Sequence, residues 1–198
     1  MSVKVIGLTG QTGAGKSTVA AIFENFDFVI LDADKFARQV TEKGSSCLEK
    51  LAEVFGSDIL DGDGRLIRPV LAKKAFSSKE NTQLLSEITH PEIIRLIGEQ
   101  IESLTAQCKS VVLDAPQLFE SGAEKFCDKI IAVTAPAELR AKRIILRDNL
   151  TRRQAVQRIK AQHDEKFYTE RADFIINNDG NFDSFIQDAI KLVKELAD

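Results

Sequence analysis

The stretch "VKVIGLTGQTGAGKSTVAAIF", Val3 to Phe23, decides the fold. Its first part, Val3 to Leu8, has the length and apolar character of a buried strand, and the pattern that its last part opens places Val19, Ile22, Phe23 and, just beyond the stretch, Phe26 at helical spacing. Between them "GQTGAGKS", Gly10 to Ser17, satisfies G-x-x-x-x-G-K-[ST] in the strand-to-helix context that the motif requires. A glycine loop lets backbone N–H groups converge on phosphate oxygens without side-chain obstruction, and the following helix adds the partial positive charge of its N-terminus. Gln11, Thr12, Gly13, Ala14, Gly15, Lys16, Ser17 and Thr18 therefore form the expected cradle for the phosphates of ATP. Lys16 is placed to bridge the β- and γ-phosphates and Ser17 to ligate Mg²⁺. Such a loop specifies a phosphoryl donor and leaves the acceptor open.

Further β-rich runs follow at "DFVILD" (27–32), "SVVLDA" (110–115), "KIIAVT" (129–134) and "DFIIN" (173–177), alternating with longer helical stretches. This alternation predicts an α/β fold around a mostly parallel sheet. "TRRQ" at Thr151 to Gln154 reads as a capping box, and Pro136 suits the first turn of a helix over "PAELRAKRIILRD". Residues 35–107 exceed a single crossover helix and read as a helical insert, a natural place for substrate specificity. Inside it "DGDG", Asp61 to Gly64, reads as a tight turn, because a calcium loop begun at Asp61 would need Glu at the position occupied by Ala72.

The 198 residues suit one domain with small insertions. A net charge of −3 gives no overall basic excess for nucleic acid or an anionic membrane, and no apolar run reaches the length of a membrane span. Three widely spaced cysteines, Cys47, Cys108 and Cys127, match neither a disulfide framework nor a metal pair, which points to a reducing, cytoplasmic setting.

A switch GTPase requires N-K-x-D and D-x-x-G motifs, which do not occur in the expected order; "NNDG" at Asn177 to Gly180 is not the former. The chain is also short for a motor. A small kinase needs a base and cations to complement the donor loop. Asp32 and Asp34, in "LDADKFARQV", stand where a strand gives way to a helix, at the strand end where ligands gather in open α/β sheets. Either could accept the acceptor's proton while the other holds water or metal; helix capping is the competing reading of both. Between Arg140 and Lys160 eight Lys/Arg accompany a single acid, Asp148. Arg143 and Arg147 share a helix face with Arg140 three residues earlier, so a cationic helical hairpin could close over polyphosphate. A solvated basic face is the alternative, and nucleic-acid binding lacks interleaved aromatics. Asp114, ending "VVLD", could hold a Mg²⁺-bound water or a substrate group, or cap a turn. His90, before Pro91, is either a helix-start residue or a ligand.

Taken in order, these pieces resemble the dephospho-CoA kinase family. The carriers are "GLTGQTGAGKST", "LDADKFARQV", "DGDGRLIRPVLAKKAF", "HPEI", "LDAPQLFESG", "RDNLTRRQAVQRIKAQ" and "ADFIINNDG", which extend over nearly the whole chain. The resemblance implies transfer of the ATP γ-phosphoryl group to the 3′-hydroxyl of dephospho-CoA, giving CoA and ADP. It implies a P-loop three-layer fold with a five-stranded parallel core (about 1–34, 108–138 and 164–198), a CoA-binding insert (about 35–107) and a lid (about 139–163). By the same resemblance Asp34 is the general base, Arg147 the favoured lid cation with Arg143 beside the donor, and Asn178 and Gly180 approach the ATP base. His90 and the segment carrying Asp114, Pro116, Phe119 and Glu120 face the acceptor. Two departures stand out: Gln11, Thr12 and Ala14 within the loop, and Gln117 where the family commonly reads "PLLFE". The expected partners are ATP, Mg²⁺ and dephospho-CoA, with no nucleic acid or membrane and a monomer or weak homo-oligomer. Other small-metabolite or nucleoside monophosphate kinases are the alternative enzymes. A nucleotide-dependent switch or nucleic-acid-binding module is the non-enzyme alternative.

Overall fold

A computed structural model describes residues 3–197. Among these, five strands and nine α-helices follow one another: β1 (Val5–Gly10), α1 (Lys16–Glu24), β2 (Val29–Asp32), α2 (Ala33–Gln39), α3 (Ser46–Phe55), α4 (Arg68–Ala75), α5 (Lys79–Ala106), β3 (Val111–Asp114), β4 (Lys129–Thr134), α6 (Ala137–Asp148), α7 (Arg152–Lys160), α8 (Glu165–Thr169), β5 (Phe174–Asn177) and α9 (Phe182–Ala197). The chain divides into two compact units, residues 1–31 with 101–198 and residues 32–100.

The first unit is built on a parallel sheet in the order β2-β3-β1-β4-β5. All five predicted strands are present, β4 with the predicted bounds and the other four with ends within two residues of them. Every residue of the central strand β1 is buried, as a parallel strand covered on both faces requires. On one face Ile6, Leu8, Ile131 and Val133 pack with Val19, Phe23, Phe185, Ala189 and Val193, which joins the sheet to α1 and α9. On the other, a Cβ at Gly7 would stand 2.9 Å from both Leu118 and Cys127, so glycine allows those side chains to lie directly on the strand.

Gly10 ends β1 with φ 140°, and a Cβ there would stand 2.2 Å from the Val133 carbonyl oxygen. That contact is with backbone, which cannot step aside. Gly10→Ala is expected to cost about 3 kcal/mol or more, seen as a fall of roughly 6–12 °C in Tm; a Tm within 2 °C or so of the parent would contradict this account of the turn.

The second unit, residues 32–100, is helical. Val40, Leu51, Phe55, Ile59, Leu71 and Ala75 form its core, with Leu85, Ile88, Ile93 and Leu96 packed against them. Ser45 caps α3 by accepting the Leu48 N–H. "DGDG" is a turn: the Asp61 carboxylate accepts from the N–H groups of Asp63 (3.0 Å) and Arg65 (2.8 Å), and Leu60 pairs with Leu66 across it.

Two sequence expectations about helix starts are corrected. Pro136 is the residue before α6, not within its first turn. His90 does not begin a helix, since α5 runs unbroken through Pro91. Proline removes the bond to the Glu87 carbonyl, but apolar residues on both sides of it, Leu85, Ile88, Ile93 and Leu96, pack on the core of the second unit and hold both halves helical.

Candidate active site

The phosphate loop begins where β1 ends and runs into α1. Gly15 is in the left-handed region at φ 113°, and its missing Cβ makes room for the Asn178 side chain, whose Nδ2 would lie 2.5 Å away. Asn178 is buried, donates from Nδ2 to the Ala14 carbonyl (2.8 Å) and accepts from Arg143 Nη2 (2.8 Å). Arg143 also donates to the Gly13 (3.2 Å) and Ala14 (3.4 Å) carbonyls. Loop carbonyls thus point at α6 and the β5 end, while the Ala14 N–H bonds the Gln11 carbonyl within the loop at 3.1 Å.

Asn178→Ala removes the nearer of the two donors to the buried Ala14 carbonyl, leaving only Arg143 at 3.4 Å, and takes an acceptor from Arg143. The expected cost is about 2–3 kcal/mol, measured by chemical denaturation; an unchanged midpoint would show that water replaces both contacts. Gly180, two residues on, has φ 116° and lies against Leu139.

Lys16 and Asp114 form an ion pair, their side chains 17% and 16% exposed. β1 and β3 are adjacent, with Leu8 opposite Asp114, so the sheet register brings the strand-end carboxylate to the loop lysine. Asp114, which the sequence offers as a holder of Mg²⁺-bound water or a substrate group or as a turn cap, pairs here with Lys16. Ser17 is exposed, and its hydroxyl makes no hydrogen bond among the described residues.

The cationic hairpin is present as α6 and α7, with Asn149 in the left-handed conformation between them and the Thr151–Gln154 capping box formed. Its arginines do not behave alike. Arg140 is buried and donates from Nε to the Ala135 carbonyl (3.0 Å); burial pushes its pKa down against the pull of Glu165. Arg147, by contrast, is exposed and donates to Asp148 from Nε (2.7 Å) and Nη2 (2.9 Å), and Arg158 donates to the same carboxylate at 2.6 Å.

Beyond α7, sequence reasoning missed two residues. Gln162 Oε1 accepts the N–H of Thr12 at 2.8 Å, and the His163 carbonyl accepts from Gln11 Nε2 at 3.2 Å. The segment after the hairpin is thereby tied to the tip of the phosphate loop. A lone Gln at a helix end carries no motif signal, so only proximity reveals it.

The "DAPQLFE" segment lies beside this tie. Thr9 donates to the Pro116 carbonyl (3.4 Å), and Phe119 meets Phe167 edge-on, the centroids 5.9 Å apart. Phe167 also stacks on His163, whose Nε2 is 3.7 Å from Glu120. Burial pushes the Glu120 carboxyl up while His163 pulls it down, and burial raises the neighbouring Tyr168 hydroxyl to about 12. Gln117 is exposed, and its carbonyl accepts from Ser121.

In the second unit, Asp32 caps α2 by accepting the Asp34 N–H at 2.9 Å. The capping alternative therefore applies to Asp32. Asp34 is exposed in the first turn, and its carboxylate has no partner among the described residues. His90 is half-buried on α5, and burial lowers its pKa.

This geometry describes a P-loop phosphate site, and comparison with known proteins assigns it to a family. The dephospho-CoA kinase family profile matches residues 4–184. The chain belongs to the dephospho-CoA kinase family. A dephospho-CoA kinase of Corynebacterium diphtheriae is 44% identical over 182 residues, 91% of each chain. That of Fusobacterium nucleatum is 38% identical, covering 94% of this chain and 95% of its own. A dephospho-CoA kinase structure from Campylobacter jejuni superposes with a TM-score of 0.74 at 32% identity, covering 98% of this chain and 96% of that one. Shikimate kinase from Bacteroides thetaiotaomicron, at 15% identity and a TM-score of 0.53 over 98% of this chain and 97% of its own, shares the fold alone.

Proposed function

We propose that the protein is an ATP-dependent dephospho-CoA kinase, transferring the γ-phosphoryl group to the 3′-hydroxyl of the acceptor ribose and releasing CoA and ADP, the last step of coenzyme A synthesis. The observation that carries this reading is the match to dephospho-CoA kinases across more than nine-tenths of the chain.

The donor binds at residues 11–18. Loop N–H groups and the α1 N-terminus meet the phosphates, and the Lys16 ammonium leaves Asp114 to stand against the β- and γ-oxygens. Arg143, Asn178 and Gly180 border the nucleotide. The exposed, unpartnered Ser17 hydroxyl fits Mg²⁺, which takes few protein ligands and shares phosphate oxygens. When bound, the ion offsets phosphate charge.

Asp34 accepts the proton of the 3′-hydroxyl, while Asp32 fixes the start of α2 and hence the position of that carboxylate. His90, Asp114, Pro116, Phe119 and Glu120 serve the acceptor. Residues 139–163 act as a lid: Arg147 exchanges Asp148 for the transferring phosphoryl group and neutralises its developing charge, and closure excludes water. Residues 35–107 bind the acceptor. The cytoplasm is the proposed setting, supported by three free cysteines and by the absence of any described helix long and apolar enough to cross a membrane.

A competition assay tests the reaction. With ATP and Mg²⁺, phosphate is expected to pass to dephospho-CoA in preference to AMP, shikimate or water, and added RNA is expected to leave the rate unchanged. Preference for another acceptor would overturn the reading.

A further inference from the structure

The second unit carries an open groove of about 400 Å³ lined by Thr41, Glu42, Lys43, Arg65, Leu66 and Arg68. Three of these six side chains are cationic and one is acidic. Ordinary surface pairing does not account for the excess. Arg65 meets Asp63 only at 3.9 Å, with both side chains more than 70% exposed, and such a contact contributes little. Lys43 has no ion-pair partner among the described residues. Arg68 is held in place without being neutralised: its Nη2 donates to the Thr41 hydroxyl (3.1 Å) and the Arg38 carbonyl (3.5 Å). Thr41 is buried and donates its own proton to the Ala37 (3.1 Å) and Arg38 (3.0 Å) carbonyls, which leaves its oxygen to receive Arg68. A guanidinium carries five N–H donors, so the remaining ones are available to a ligand in the groove.

The groove is also tied to the proposed base. Arg38, whose carbonyl accepts from Arg68, lies four residues beyond Asp34 on α2, on the same helix face and about 6 Å along its axis. The groove lining itself begins at Thr41, seven residues or about 10 Å of helix beyond Asp34, a spacing that side chains reaching from both ends can bridge to a hydroxyl and a 5′ phosphate on one ribose.

We propose that this groove binds the pyrophosphate of the acceptor, with Arg68 as a fixed, fork-shaped anion ligand and Lys43 and Arg65 as mobile ones; the inference rests on the function proposed above. Arginine suits the first role because its planar fork meets two phosphate oxygens at once. The groove thereby selects an acceptor with a pyrophosphate on its 5′ side, and AMP, with a single phosphate, fills it incompletely.

The test is steady-state kinetics on Arg68→Gln, Arg68→Lys and the double variant Lys43→Gln/Arg65→Gln, with thermal melts to confirm folding. Both charge-removing variants are expected to raise KM for dephospho-CoA about tenfold or more while KM for ATP stays within about twofold. Adenosine, which has the ribose without the pyrophosphate, should show an unchanged kcat/KM. Arg68→Lys should fall between parent and Arg68→Gln, since charge remains but the fork is lost. The double variant does not touch the Thr41 hydrogen bond, so it reads the groove even if Arg68→Gln folds poorly. An unchanged KM for dephospho-CoA in the double variant, or an equal rise in KM for ATP, overturns the inference alone. Failure of the parent protein to phosphorylate dephospho-CoA overturns the function and the inference together.

Discussion

Asp34→Asn is expected to bind ATP as the parent does and to lose between about a hundredfold and ten-thousandfold of its kcat, the range for removal of a positioned general base. The substitution keeps the size and one acceptor oxygen of the side chain but removes its capacity to take a proton. It leaves the α2 cap intact, because that bond runs from the Asp34 backbone N–H to the Asp32 carboxylate. The loss should therefore appear in kcat rather than in KM for ATP or in thermal stability. Single-turnover measurement at saturating ATP and dephospho-CoA separates the two outcomes. Near-normal turnover would move the role of base to another residue, and Asp32 is a poor substitute while its carboxylate is occupied by the cap.

Lys16→Ala is expected to act on both binding and chemistry. The ammonium contributes to ground-state attraction for the phosphates and more strongly to the charge that spreads over the transferring group, so KM for ATP should rise and kcat should fall by about 10²–10³. It also removes the Lys16 ammonium from beside the Asp114 carboxylate, whose negative charge then repels the incoming phosphates more strongly. Lys16→Ala/Asp114→Asn should on this account recover part of the ATP affinity but little of kcat. Unchanged ATP binding in the single variant would remove Lys16 from the donor site, and full recovery of kcat in the double variant would show that repulsion by Asp114 was the whole effect. Salt provides a second check, because the repulsive part of the affinity loss should shrink as ionic strength rises.

The features legible from sequence are those with local causes. Five strands declared themselves as apolar runs at the right spacing, the glycine loop as a pattern that only one strand-to-helix turn satisfies, and the capping box as two residues three apart. The turn at Asp61 was readable for the same reason: the side chain that makes it sits in the turn. The helix through Pro91 was not, since its continuity depends on apolar packing on both sides of the proline, and local propensity argues the other way. The basic stretch is legible as a helical hairpin, but the surroundings of each of its arginines are not. Burial of Arg140 depends on which helix face is packed, and Asp148, already beside Arg147 in the chain, is shared with Arg158 only because the fold brings α7 back along α6.

By itself the sequence determined the phosphate loop, the α/β class, the presence of a helical insert and a family resemblance that nearly full-length relatives bear out, because each rests on the order of residues along the chain. Only the tertiary structure decided that Asp114 holds Lys16, that Gln162 occupies the Thr12 amide, that Asn178 anchors the loop carbonyl, and that Arg68 is fixed by Thr41 in a cationic groove. Those pairs are separated by 98, 150, 164 and 27 residues. Hydrogen bonds and ion pairs act over a few ångströms in space and leave no periodic trace in the chain that encodes them.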